Sequence, residues 1–202
     1  MNYKQQNSIE PFVIWLTGLS GAGKTTIANL VAQEISSIGF QPYILDGDNL
    51  RNGLNSDLGF SHEDRGENIR RISEVAKILV DAGTITVVSA ISPFLCDRDR
   101  ARSLFADNQF IEIFVDTSLD VCKQRDNKGL YKRALSGEIE DFTGISSPYE
   151  VPKNPELVLK TEGKPPQETL VDLMAYLKNV KRLLRPFNAP FSLLSSPKDI
   201  IF

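Results

Sequence analysis

Short apolar runs alternate with helical stripes along the chain, and this rhythm sets the expected fold. Phe12-Val-Ile-Trp-Leu-Thr17 is an almost unbroken apolar run, the pattern of a strand buried on both faces. From Lys24 to Ile38 the positions Ile27, Leu30, Val31, Ile35 and Ile38 recur at helical spacing. They predict an amphipathic helix that Gly39 stops. Pro42-Tyr-Ile-Leu-Asp46 reads as a second strand, and residues 63–81 as a helix turning Ile69, Ile72, Val75, Ala76 and Leu79 inward. Gly83 precedes a third strand, Ile85-Thr-Val-Val-Ser-Ala90, and Phe110-Ile-Glu-Ile-Phe-Val115 gives a fourth. Helices are expected over 97–106 and 118–125. Leu157-Val-Leu-Lys160 is a short fifth strand, and residues 166–180 form a last amphipathic helix on Leu170, Leu173, Met174 and Leu177. Residues 126–155 hold no lasting period and are rich in Gly, Pro, Ser and charge, as expected of a functional lid or a disordered segment.

Strands alternating with helices predict an α/β fold: a five-stranded parallel sheet with helices on both faces and a lid loop. The 202 residues suit one domain, 1–202, with a core over about 12–180 and a C-terminal extension over 181–202. The basic, Pro- and Ser-containing tail reads as a packing extension.

Composition narrows the function classes. A net charge of −3 gives no bulk basis for binding nucleic acid or membranes. Two cysteines, Cys96 and Cys122, and one histidine, His62, argue against a disulfide framework and a zinc site. His62 reads as a surface residue. The polar N-terminus lacks the apolar stretch of a signal peptide, and no run is long enough to span a bilayer. A cytoplasmic enzyme fits.

The sharpest chemical signal is Gly18-Leu-Ser-Gly-Ala-Gly-Lys-Thr25, which matches G-x-x-x-x-G-K-[ST] between a predicted strand and a predicted helix. Glycines let the backbone curl so that successive N–H groups face phosphate oxygens, and the helix N-terminus adds partial positive charge. Gly18, Leu19, Ser20, Gly21, Ala22, Gly23, Lys24, Thr25 and Thr26 are therefore the candidate ATP-binding residues. Lys24 is placed to reach the β- and γ-phosphates and Thr25 to ligate Mg²⁺. The guanine reader Asn-Lys-x-Asp is absent, since Asn127-Lys128-Gly129 lacks the aspartate. The third strand does not end in an acid; the acids follow the second strand, in Asp46-Gly-Asp48.

Ligands of open α/β sheets sit beyond the carboxyl ends of the strands. Asp46-Gly-Asp-Asn-Leu-Arg51, Ser89-Ala-Ile-Ser-Pro93 and the 126–155 loop all fall at such ends. Arg51, Arg65, Arg70 and Arg71 offer bidentate contacts to an anionic substrate, with one of the last two expected on a solvated helix face.

From Trp15 to Val180 the chain resembles the adenylylsulfate kinase family of P-loop kinases. The motifs are the phosphate loop with Thr26, Leu45-Asp-Gly-Asp-Asn-Leu-Arg51, Gly59-Phe-Ser-His-Glu-Asp-Arg65 with Glu67-Asn-Ile-Arg-Arg71, Ile91-Ser-Pro-Phe94, Lys128-Gly-Leu-Tyr-Lys132, and Asp141-Phe-Thr-Gly144 with Ser147-Pro-Tyr-Glu150. The resemblance implies transfer of the ATP γ-phosphate to the 3′-hydroxyl of adenylylsulfate (APS), giving PAPS in sulfate assimilation. It implies ATP and Mg²⁺ as cofactors and a homodimer. Asp48 would accept the hydroxyl's proton or orient it, and Asp46 would assist the metal through water or brace the site. Arg51, Arg65 and Asn68 would hold the phosphosulfate and ribose. Phe60 and Phe142 would sandwich the adenine of APS, while Ile91 and Ser92 line its pocket. Ser92 is described in the family as a phosphoserine; a hydrogen bond to substrate is the more economical role, since no histidine stands near to activate it. Lys128 and Lys132 would ride on the lid, and Arg125 would stack on the ATP adenine. A PAPS- or APS-binding regulatory module and another P-loop small-molecule kinase are the rival readings. The retained Lys24, Thr25, Asp48 and Lys128 favour activity over the first, and the paired Phe residues with the arginines favour a nucleotide-like acceptor over the second.

Overall fold

The computed structural model describes residues 10–126 and 128–181, the side chain of Lys181 excepted. The basic tail discussed above lies outside the described residues. Five strands form one parallel sheet: β1 (Val13–Thr17), β2 (Tyr43–Asp46), β3 (Thr86–Ser89), β4 (Phe110–Asp116) and β5 (Leu157–Lys160), in the spatial order β2-β3-β1-β4-β5. β1 is central, and all five of its residues are buried. Alternation splits it between two cores. Ile14 and Leu16 face one core, with Ile27, Val31 and Ile35 of α1 (Lys24–Ser37) and Leu173 and Leu177 of α7 (Pro166–Lys181). Val13 and Trp15 face the other, with Ile69, Ile72 and Ala76 of α3 (His62–Asp81) and Ala101 of α4 (Leu95–Ser103).

The strands and long helices lie where periodicity puts them, with ends moved by one to three residues. Three short helices complete the set: α2 (Gly47–Arg51), α5 (Leu119–Gln124) and α6 (Leu130–Leu135). α2 and α6 are not foreseen by the sequence reading, because five or six residues hold too few turns to show a period. α6 falls inside the segment read as structureless. Each short helix depends on a local device. Asp46 caps α2, its Oδ1 accepting from the N–H groups of Asp48 at 3.0 Å and Asn49 at 3.3 Å. The Asp126 carboxylate accepts from the Lys132 N–H at 3.0 Å in the first turn of α6.

Among the described residues no helix is long and apolar enough to cross a membrane. With β1 in the middle, the β1–α1 loop sits at the centre of the sheet's carboxyl edge. The ends of β2 and β3 flank it on one side and those of β4 and β5 on the other.

Candidate active site

A cavity of about 550 Å³ opens at that carboxyl edge. The loop from Ser20 to Thr26 forms its floor. Gly18 lies deeper: its φ is +148°, and a Cβ there would stand 2.6 Å from the Val115 carbonyl oxygen, so only glycine fits. Gly21, at φ +75°, passes close to the Cys122 carbonyl. Lys24 is buried, and its ammonium donates to the carbonyls of Gly18 at 2.9 Å and Leu19 at 2.8 Å. Burial pulls its pKa down to about 8, against the opposing pull of Asp48 and Asp46.

One arm of the cavity lies toward β2 and β3. The Thr25 hydroxyl donates to Asp46 Oδ2 at 2.9 Å and lies 3.3 Å from the Ser89 hydroxyl. These hard oxygens suit Mg²⁺, which keeps several waters and leans on substrate phosphates. Among the described residues no cluster of three His, Cys, Asp or Glu side chains could hold a metal alone. Asp48 is exposed at the mouth, and Lys128 reaches it at 2.5 Å from the 126–155 segment. That contact raises the Lys128 pKa.

Arg51 donates to the Gly59 carbonyl at 2.7 Å and lies 4.5 Å from the centre of the exposed Phe60 ring. Arg65 is buried and holds two segments together: its Nε donates to the Phe60 carbonyl at 2.8 Å, and its other nitrogens donate to Thr143 Oγ1 and the Asp141 carbonyl. Burial, with Arg51 nearby, lowers the Arg65 pKa. Asn68 lines the cavity and pairs with the buried Asn55 at 2.9 Å. Ile91 and Ser92 also line it.

The structure brings most of the foreseen residues together but not all. Phe142 packs in the apolar core, edge-on to Tyr131 at 5.0 Å between ring centres, and does not line the cavity. The two-sided stacking site expected of Phe60 and Phe142 is not assembled here. Polar neighbours in sequence concealed a residue that turns inward. Lys132 is exposed on α6 and outside the lining. Ser92 is 1% exposed, at φ +41°, and its hydroxyl accepts from the Trp15 indole at 3.1 Å. This favours a wall residue over a phosphoryl carrier. His62 is exposed and lies against the Phe94 ring at 4.1 Å. Arg70 and Arg71 both pair with Glu67, away from the lining. That leaves neither one for the substrate, where one was expected.

Sequence reasoning missed Arg98. It sits in Asp97-Arg-Asp-Arg100, which reads as a solvated helix face, yet it is 1% exposed. It lies 2.8 Å from Glu112 and donates to the carbonyls of Ser92 and, at 2.6 Å, Glu150. It thus fixes the Ser92 turn to β4 and to the end of the lid segment. Tyr149 adds a second tie, its hydroxyl 2.9 Å from Thr17 Oγ1, which itself donates to the Ile91 carbonyl at 2.7 Å.

The other arm lies toward β4 and β5, lined by Arg125, Thr161, Lys164, Pro166 and Thr169. Arg125 donates to the Thr161 carbonyl at 3.0 Å. The cavity therefore has a phosphate-binding floor with room on either side.

Comparison with known proteins agrees with this geometry. A sequence model described as adenylylsulphate kinase matches residues 10–160. The adenylyl-sulfate kinase of Bacillus velezensis is 55% identical over 177 residues, 88% of this chain and 90% of the relative. The bifunctional enzyme NodQ of Rhizobium sp. (strain N33) is 54% identical over 176 residues, 87% of this chain but only 27% of that longer protein. Among solved structures, the APS kinase CysC of Mycobacterium tuberculosis in complex with AMPPNP and APS superposes with a TM-score of 0.80 at 48% identity, covering 84% of this chain and 98% of that one.

Proposed function

The chain belongs to the adenylylsulphate kinase family, and on that premise we propose that it transfers the γ-phosphoryl group of ATP to the 3′-hydroxyl of APS, yielding PAPS and ADP. The observation that carries this reading is the convergence of Lys24, Asp48 and Lys128 on one cavity with an arm on each side of the phosphate loop. Two nucleotides meeting through a phosphoryl group need that shape.

The donor's nucleoside takes the arm of Arg125 and Thr161, its triphosphate lies along residues 20–26, and APS takes the arm of Arg51, Phe60, Arg65, Asn68, Ile91 and Ser92. Asp48 takes the proton as the 3′-oxygen bonds to the γ-phosphorus and the bond from that phosphorus to the β–γ bridging oxygen breaks. ADP leaves with the electron pair. Lys24 and Lys128 hold positive charge where negative charge spreads over the transferring group. Mg²⁺ would be held by the Thr25 hydroxyl and, through water, by Asp46, and would supply charge neutralisation on the donor's phosphates. Catalysis is then positioning and electrostatics, with no covalent step at Ser92. The same reading makes the protein a single kinase domain, acting in the cytoplasm as a homodimer in sulfate assimilation.

The test is ADP release from MgATP with and without micromolar APS, beside Lys24→Ala. APS-dependent release that vanishes in the variant is the expected result. Tight PAPS binding without turnover would replace the kinase with a regulatory module.

A further inference from the structure

Four carbonyls of the phosphate loop are held by named donors. Lys24 takes those of Gly18 and Leu19, and the Tyr131 hydroxyl donates to that of Ser20 at 2.9 Å. The Ala22 carbonyl is the most heavily engaged: Thr117 Oγ1 stands 3.1 Å away, Thr161 Oγ1 3.2 Å and Arg125 Nη1 3.4 Å. In a trans peptide the C=O and the following N–H point to opposite sides, and the described backbone has no cis bond. Donors on the β4–β5 side of the Ala22 carbonyl therefore turn the Gly23 N–H away from that side.

The two threonines come from different strands. Thr117 follows Asp116 at the end of β4 and Thr161 follows Lys160 at the end of β5, and Asp116 and Lys160 are register partners. Both threonines are buried, and their hydroxyls hydrogen-bond each other directly. Arg125 Nη1 donates to Thr161 Oγ1 at 3.2 Å. A guanidinium can only donate and a carbonyl can only accept. The hydroxyl protons between them therefore run one way, with one spent inside the threonine pair and the other on the Ala22 oxygen.

We propose that Thr117 and Thr161, oriented by Arg125, are positioning residues for the phosphate loop: they aim the Gly23 N–H at the donor's phosphates. The inference rests on the reading of MgATP as donor. With an apolar isostere in either place the other hydroxyl still reaches the Ala22 oxygen; only the double replacement removes both, whereas serine keeps the hydroxyl.

Thr117→Val, Thr161→Val, the double variant and the two Thr→Ser variants are compared by calorimetry with MgATP and by steady-state kinetics. Each single valine variant is expected to bind MgATP within about 2-fold of the parent, because the remaining hydroxyl takes over at the Ala22 oxygen. The double variant is expected to bind roughly 10-fold more weakly, more than the two singles combined, because it alone removes both hydroxyls. The serine variants stay within about 2-fold of the parent, and KM for APS does not move. Where a valine variant does not fold, Thr→Ala at the same position replaces it. Parental MgATP affinity in the double valine variant, a single valine variant as impaired as the double, serine variants as impaired as the double, or a parallel rise in KM for APS overturns the proposal while MgATP remains the donor. A parent chain that does not bind MgATP overturns both.

Discussion

The phosphate loop and the arm proposed to take APS, the acceptor arm, meet at Asp46 but are made from different materials. The loop is backbone, held in shape by hydroxyls, a guanidinium and its own lysine, and contiguous in sequence. The acceptor arm is side chains from α2, the N-terminal part of α3 and the turn after β3, tied together by Arg65 and Arg98. Backbone donors need conformation, which few residues control and which a single Cβ destroys at Gly18. Side-chain donors need identity at scattered positions, so they can be exchanged one at a time.

The largest expected effect tests this division at the chemical step. Asp48→Asn keeps shape at the mouth and removes the proposed proton acceptor. We expect kcat to fall by about 10²–10⁴-fold, with MgATP affinity by calorimetry little changed. Loss of both together would mean that the two regions are not separable. Next comes the pair of phenylalanines. Phe142→Ala opens a hole in the core and should cost about 3–5 kcal/mol of stability in urea unfolding. Phe60→Ala, at an exposed ring, should cost about 1 kcal/mol or less and act on KM for APS. Equal destabilisation by both would contradict the burial difference that separates them.

The smallest effect is protonic. Lys24 has its pKa lowered to about 8 by burial, so the free protein holds this proton only partly above that pH. Phosphate oxygens favour the charged form and raise the pKa. MgATP binding should therefore take up a fraction of a proton between pH 8 and 9, and less as pH falls toward 7. Calorimetry in two buffers of different ionisation enthalpy measures this, and Lys24→Met should abolish it. Uptake that grows as pH falls would assign the proton to another group.

What was legible in the sequence follows the same divide. The phosphate loop could be read whole, since its glycines, Lys24 and Thr25 are consecutive and flanked by a strand and a helix. The sheet was legible because its central strands are buried on both faces and so are largely apolar. Most of the acceptor arm was named through resemblance, with Arg51 and Arg65 also marked by their charge. Phe142, set in a polar loop, and Arg98, set in a charged run, are buried by tertiary packing that no local pattern announces. The Thr117–Thr161 pair had no signal, because neither residue stands out until β4 and β5 are laid side by side.

Asp46 spends each of its carboxylate oxygens on a different region, Oδ1 on the first turn of α2 and Oδ2 on Thr25. Divergence toward a new acceptor is therefore barred at this point, since any drift at Asp46 is felt by the donor side as well. Changes at Phe60 or Ile91, which line the cavity without belonging to the phosphate loop, leave that shared carboxylate untouched.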